Sequence, residues 1–184
     1  MQHRSFFTVH APNGIRWLLG VFLLIQLGYF CLAWLYSGPL AIGPWTMRVQ
    51  PADLSMAAVQ ALPKLQRWLA ASLASISLGC LFYAALRLHR MLQCAAQGTF
   101  FSGQSIAHWR AFAGAMLCSV LASILQLPLR EVLFRLFWGS GPYPLKLSIS
   151  SQDVQLVVVC GVLYLVASMM QEGQRLANEN AGFI

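Results

Sequence analysis

The chain has 184 residues, of which 58% are hydrophobic and only 9% are charged, whereas a soluble domain carries about 25% charged residues. Its formal net charge is +7, yet no basic cluster is denser than the short segment 87–90. Nucleic-acid binding needs concentrated positive charge to neutralise phosphates, so the composition argues against a direct nucleic-acid partner. The same charge suits anionic lipid headgroups, and the lipid bilayer is the first partner that we expect.

Four apolar runs contain no Asp, Glu, Lys or Arg, and they cover residues 17–36, 68–86, 111–129 and 154–170. Each run is close to the ~20 residues that a helix needs to cross the hydrocarbon core of a bilayer. The pattern predicts an all-α integral membrane protein, in which residues 1–184 form one domain with a bundle of four transmembrane helices.

The loops between the spans carry signals for further helices. A short interfacial helix is predicted from Asp53, a good N-cap, to Pro63. After Pro128, Glu131 and Arg135 form an i,i+4 pair beside a row of apolar residues, which predicts either an interfacial helix or a tilted extension of the third span. These interfacial helices would lie in the outer loops. Caps are predicted at the start of two spans, from Ser102 or Ser105 for the third and from the capping box of Ser150 and Asp153 for the fourth.

Two rows of small residues predict close packing of the second and third spans. Small side chains at four-residue spacing allow two helix backbones to approach closely in lipid. The rows consist of Ala71, Ser75 and Gly79 in the second span, and of Ala111, Ala115, Ser119 and Ser123 in the third. We expect a tight hairpin of these two spans, although a functional groove would use the same residue types.

The orientation rests on the flanks of the spans. Basic residues divide six against six between the two sides, so their total does not decide the orientation. The first span often dominates, and Arg4 and Arg16 precede it whereas Arg48 follows it. We therefore expect both termini in the cytoplasm, together with a connector of residues 87–110 and a helical C-terminal tail of residues 171–184.

The connector and the tail carry the only family resemblance. The connector contains Gly98-Thr99-Phe100-Phe101-Ser102 followed by Arg110, and the tail contains Glu172-Gly173 and Glu179-Asn180. These motifs resemble the uncharacterised bacterial membrane family called domain-of-unknown-function family 2975, whose commoner ending, Glu-Asn-Glu-Leu-Thr-Val, differs from the Ala-Gly-Phe-Ile found here.

The resemblance implies a four-span protein of the bacterial inner (plasma) membrane without an established activity. Members of the family often look to be encoded beside a small helix-turn-helix transcription regulator, so the resemblance also implies, by analogy, that such a neighbouring regulator is a cytoplasmic partner of this protein. The candidate contact residues lie in the connector and the tail, and they are Gly98, Phe100, Phe101, Ser102, Arg110, Glu172, Arg175, Glu179 and Asn180.

Reactive groups for the common membrane chemistries are missing from the spans. Thiol–quinone oxidoreduction needs a Cys-x-x-Cys pair, proton-coupled export needs an intramembrane acid, and a serine protease needs a histidine at the same depth. His89, Cys94 and His108 have no tight ligand spacing for zinc. We therefore expect no catalytic residue, no metal and no cofactor.

The leading hypothesis is a non-enzymatic membrane protein that tethers or signals to the regulator. The alternative is a lipid- or hydrophobe-binding transport or immunity protein that uses the outer loops and the helix with Arg130 and Arg135. A subunit that only stabilises a larger complex is a third hypothesis, and a homo-oligomer stays open.

Overall fold

Four long helices dominate the computed structural model, which describes residues 6–36, 40–42, 45–47, 62–97, 102–139 and 149–181. The helices are α1 (Phe6–Trp34), α2 (Lys64–Ala96), α3 (Gly103–Trp138) and α4 (Ser151–Ala181). Each contains a segment that is long and apolar enough to cross a membrane. The predicted class, a helical bundle with four membrane-spanning helices, is confirmed.

A short β-hairpin follows α1. Strand β1 (Leu40–Ile42) pairs antiparallel with β2 (Trp45–Met47), so that Leu40 lies opposite Met47. The sequence analysis did not predict this hairpin. The interfacial helix predicted from Asp53 falls largely on residues 53–61, which lie outside the described residues.

Side-chain caps begin two of the helices where the sequence predicts them. Ser102 caps α3, since its hydroxyl accepts a hydrogen bond from the Ser105 amide at 3.2 Å. At the start of α4 the Asp153 amide donates to the Ser150 hydroxyl at 3.1 Å, and the Ser150 amide donates to the Asp153 carboxylate at 2.9 Å. This reciprocal pair is the capping box that the sequence indicates.

Helix α3 continues through Pro128 to Trp138 and ends at Gly139, whose φ of 73° is in the left-handed region. Proline has no backbone N–H, so the carbonyl of Ile124 loses its usual helical donor. The chain nevertheless stays helical because Phe134, 1% exposed, packs into a core with Trp34 near the end of α1. Of the two predicted alternatives, the structure has the extension of the third span.

Helices that follow each other in sequence pack against each other, in the order α1, α2, α3 and α4, and the α2–α3 contact is the most extensive. A hydrogen bond joins this pair, because the Ser119 hydroxyl donates to the Ser77 carbonyl at 2.9 Å. The expected α2–α3 hairpin is therefore present. Ala115 of the small-residue row on α3 is buried, and Ala111, Ser119 and Ser123 are half-buried.

The small-residue row on α2 differs from the expectation. Ala71 is half-buried, but Ser75 and Gly79 are exposed, and a Cβ added at Gly79 would meet nothing within 4 Å. The buried face of α2 instead carries Leu73 and several alanines, among them Ala70 and Ala84. The four-residue spacing occurs on more than one face of this helix, and contact with both α1 and α3 selects the face that is buried.

Candidate functional site

Two regions at opposite ends of the bundle contain the candidate functional residues. We call the end where α2 ends and α3 begins the connector end. The loop end is the opposite one, where α1 and α3 end and α2 and α4 begin. Three predicted contact residues, Gly98, Phe100 and Phe101, lie outside the described residues.

Arg110 joins the connector end of α3 to the tail on α4. Its guanidinium donates to the Gln171 side-chain oxygen at 2.6 Å and to the Tyr164 hydroxyl at 3.1 Å, and it lies 5.6 Å from the centre of the Tyr164 ring. At the adjacent positions of the two helices, the Trp109 indole donates to the Leu163 carbonyl at 3.0 Å. These bonds fix the register between α3 and α4.

The first turn of α3 also lies beside the tail. A Cβ added at Gly103 would be 3.7 Å from the Gln174 side-chain oxygen, and Ser105 and Ile106 are 3% exposed. The structure thus brings Gly103 and Arg110 of the connector against the start of the tail. We call this the connector–tail face.

The tail presents its charges to solvent. Arg175 lies 3.7 Å from the Glu172 carboxylate and 2.9 Å from the Glu179 carboxylate, and the three side chains are 66%, 59% and 53% exposed. Such i,i+3 and i,i+4 pairs each stabilise a helix by about 0.2–0.5 kcal/mol. The side chain of Asn180 lies outside the described residues.

The residues that the sequence analysis weighed as zinc ligands and rejected, His89, Cys94 and His108, fall at the same end. The Arg87 guanidinium is 3.4 Å from Nδ1 of His108 and donates to the Tyr83 hydroxyl, while His89 lies 3.1 Å from the Gln93 amide. Within the described ranges, no three His, Cys, Asp or Glu side chains come together as metal ligands would.

At the loop end, an ion pair is buried inside the bundle. Arg130 and Glu131 are 4% and 2% exposed, and Nε of the arginine lies 4.0 Å from the glutamate oxygen. Among the described residues, neither Glu131 oxygen nor the Arg130 Nε has a hydrogen-bond partner. Burying a polar atom without a hydrogen-bond partner costs about 1–3 kcal/mol of folding free energy, so this pair destabilises the folded chain.

Arg130 lines an elongated cavity between the helices. The cavity has a volume of about 560 Å³, and small-molecule sites have volumes of roughly 300–1,000 Å³. All four helices contribute to its wall. Its wall is mostly apolar. The polar residues along it are Gln26, Tyr29, Ser77, Ser119, Ser123, Gln126, Arg130 and Gln152.

Comparison with known proteins identifies no relative. No protein-family model, no curated protein and no solved structure matches this chain. The resemblance to family 2975 stays a prediction from the two short motifs.

The sequence analysis left Arg130 and Glu131 either in an interfacial helix or in a tilted extension of the third span, and in neither case did it predict that the pair is buried. The signal that could have found it is the apolar character of the residues on both sides, since Leu129, Val132, Leu133 and Phe134 surround the two charges. The uncharged run ends at Leu129, so the sequence analysis placed the pair just beyond the span of residues 111–129.

Proposed function

We propose that this protein is a non-enzymatic, multi-pass protein of a bacterial inner membrane whose connector–tail face binds a cytoplasmic protein. The observation that carries the proposal is the bond between Arg110 and Gln171, which joins the end of the connector and the tail in one surface. A fixed register between two helices suits a surface that presents side chains to a partner.

The partner proposed is a small helix-turn-helix regulator, which is the protein that the resemblance to family 2975 implies. Support comes from the alternating charges of Glu172, Arg175 and Glu179, which stay more than half exposed. Regulators of this kind carry basic surfaces for DNA phosphates, and two exposed carboxylates offer a complementary contact. Exposed charges at the edge of an interface act by steering the two proteins together, so the rate of association should depend on the salt concentration.

The proposed orientation places both termini in the cytoplasm. The buried position of Arg130 supports it, because an arginine that is 4% exposed and paired with Glu131 is not a loop charge. Without Arg130, the basic residues number six on the side of the termini and five on the other. The positive-inside rule then favours this orientation slightly.

Charge reversal tests the proposal. We expect Glu172→Lys/Glu179→Lys to abolish co-purification of the neighbouring regulator with the membrane fraction, because both exposed carboxylates are replaced by positive charges. The matched control is Lys64→Glu, a charge reversal at an exposed position of the loop end, which should leave co-purification unchanged. Equal recovery of the regulator with all three proteins would contradict the proposal.

A further inference from the structure

The cavity between the helices is elongated along the helix axes. Along α3 it extends from Met116 to Arg130, which is about 21 Å at 1.5 Å per residue. Along α1 it extends from Phe22 to Trp34, a distance of about 18 Å by the same rise. A cavity of about 560 Å³ with this length is a narrow cleft parallel to the helices. It opens to the outside of the bundle, since Phe22 and Tyr29 on its wall are 40% and 46% exposed, and we call it the channel.

The two ends of the channel differ in polarity. Gln126, Arg130 and Gln152 lie at the loop end, whereas Phe22, Leu81 and Met116 line the end toward the connector. Between them the wall is apolar apart from isolated hydroxyl and amide groups. A molecule that fits this channel has a long apolar chain and one polar end.

Arg130 decides the chemistry of the polar end. An arginine side chain has only hydrogen-bond donors, and the buried Nε of Arg130 has no acceptor among the described residues. The nearest carboxylate, on Glu131, lies at 4.0 Å, beyond a hydrogen bond. The group that completes this site must therefore bring an acceptor oxygen.

We propose that the channel binds a single acyl chain whose carboxylate or ester carbonyl accepts a hydrogen bond from Arg130. The chain lies along α1, α2 and α3 with its methyl end toward Met116. This site goes beyond the proposed protein contact, since its polar end at Arg130 lies about 30 Å along α3 from Arg110 at 1.5 Å per residue. It gives the hydrophobe-binding alternative a location and a ligand class.

The channel wall offers a matched pair of serines for a test. Ser123 lines the channel and donates to the Val120 carbonyl of its own helix at 2.7 Å. Ser75 is exposed on α2 and donates to the Ser72 carbonyl of its own helix at 2.7 Å. Replacing either serine with leucine removes the same kind of bond, but only the change at Ser123 fills the channel.

Native mass spectrometry of the full chain, released from detergent micelles, measures the binding. The probes are palmitate, methyl palmitate and hexadecylamine, which share their chain length but carry an anionic acceptor, a neutral acceptor and a cationic head. We expect one bound palmitate per chain and at least a tenfold lower bound fraction for hexadecylamine. Binding of methyl palmitate as tight as that of palmitate assigns an ester carbonyl as the ligand group, and weaker binding assigns the carboxylate.

The variants separate the channel from lipid that coats the outside of the bundle. Ser123→Leu should lower palmitate binding at least tenfold, and Ser75→Leu should bind as the wild type does. Ala74→Leu fills the channel from α2 and should repeat the loss if Ser123→Leu does not fold. Arg130→Gln/Glu131→Gln, which keeps the shape without charge, should bind palmitate and hexadecylamine alike.

Two results would overturn the proposal. One is equal binding of palmitate and hexadecylamine to the wild type, which means that the chain alone is held. The other is unchanged palmitate binding in both channel-filling variants, which means that the lipid is on the outer surface only. Glu172→Lys/Glu179→Lys should bind palmitate normally, so a failure of the regulator proposal leaves this result untouched.

Discussion

The charged side chains at the two ends of the bundle differ in their hydrogen bonding. At the connector end, Arg110 and Arg175 have hydrogen-bonded partners at 2.6 and 2.9 Å. At the loop end, Arg130 and Glu131 are almost completely buried, yet their charged groups are 4.0 Å apart. A buried pair must offset the cost of removing both ions from water, and a pair without hydrogen bonds does so poorly.

The difference separates a surface that is complete within the chain from an interior site that is not. At the connector end, the Arg110 bonds hold α3 and α4 in register, and the paired charges of the tail stay exposed to a partner. The pair at the loop end leaves buried donors and acceptors without partners among the described residues. Proteins keep such groups where a ligand or a change of state uses them.

The largest expected effect comes from breaking the buried pair. Glu131→Ala leaves the Arg130 charge uncompensated inside the bundle, and we expect a loss of about 3–5 kcal/mol of unfolding free energy. Denaturation in mixed micelles measures it. Glu179→Ala is the control at an exposed position and should lose less than about 0.5 kcal/mol. Similar losses for the two variants would show that the buried pair has no special cost.

A smaller effect is expected at the junction of α3 and α4. Arg110→Ala removes hydrogen bonds to Gln171 and Tyr164, and their partial exposure reduces the loss to about 1 kcal/mol. The same unfolding measurement tests it. Tyr164→Phe keeps the ring under the guanidinium and removes one acceptor, so it should lose less than Arg110→Ala. The reverse order would contradict the assigned contacts.

The smallest effect is expected in the tail. Arg175→Ala removes two exposed ion pairs, and we expect a loss of no more than about 0.5 kcal/mol that disappears in high salt. The measurement is the unfolding free energy of the variant and of the wild type, at low and at high ionic strength. The effect of Glu131→Ala should persist in high salt, since buried charges are screened far less. A salt-independent loss for Arg175→Ala would remove this distinction between the two ends.

Local signals predicted much of the fold. Long uncharged runs predicted the four membrane-spanning helices, and the side chains of Ser102, Ser150 and Asp153 predicted where α3 and α4 begin. Both signals depend on residues close in sequence: a helix satisfies its own backbone, and a cap bonds to an amide three residues away. Such features need no knowledge of the neighbouring helices.

The candidate sites were predicted less completely. The contact between the connector and the tail depends on the pairing of Arg110 with Gln171, residues 61 positions apart, and no local pattern predicts such a pairing. Likewise, the exposure of Ser75 and Gly79 depends on how α2 is rotated about its axis. Rows of small residues indicate that a close contact is available, but they do not choose between competing faces.

The sequence by itself determined that the chain crosses a membrane with four helices, because uncharged length and capping are properties of each segment alone. Only the tertiary structure decided that α3 continues past Pro128 and that Arg130 and Glu131 lie inside the bundle. The physical reason is that Phe134 packs against Trp34 on another helix, and this burial offsets the hydrogen bond that Pro128 cannot donate.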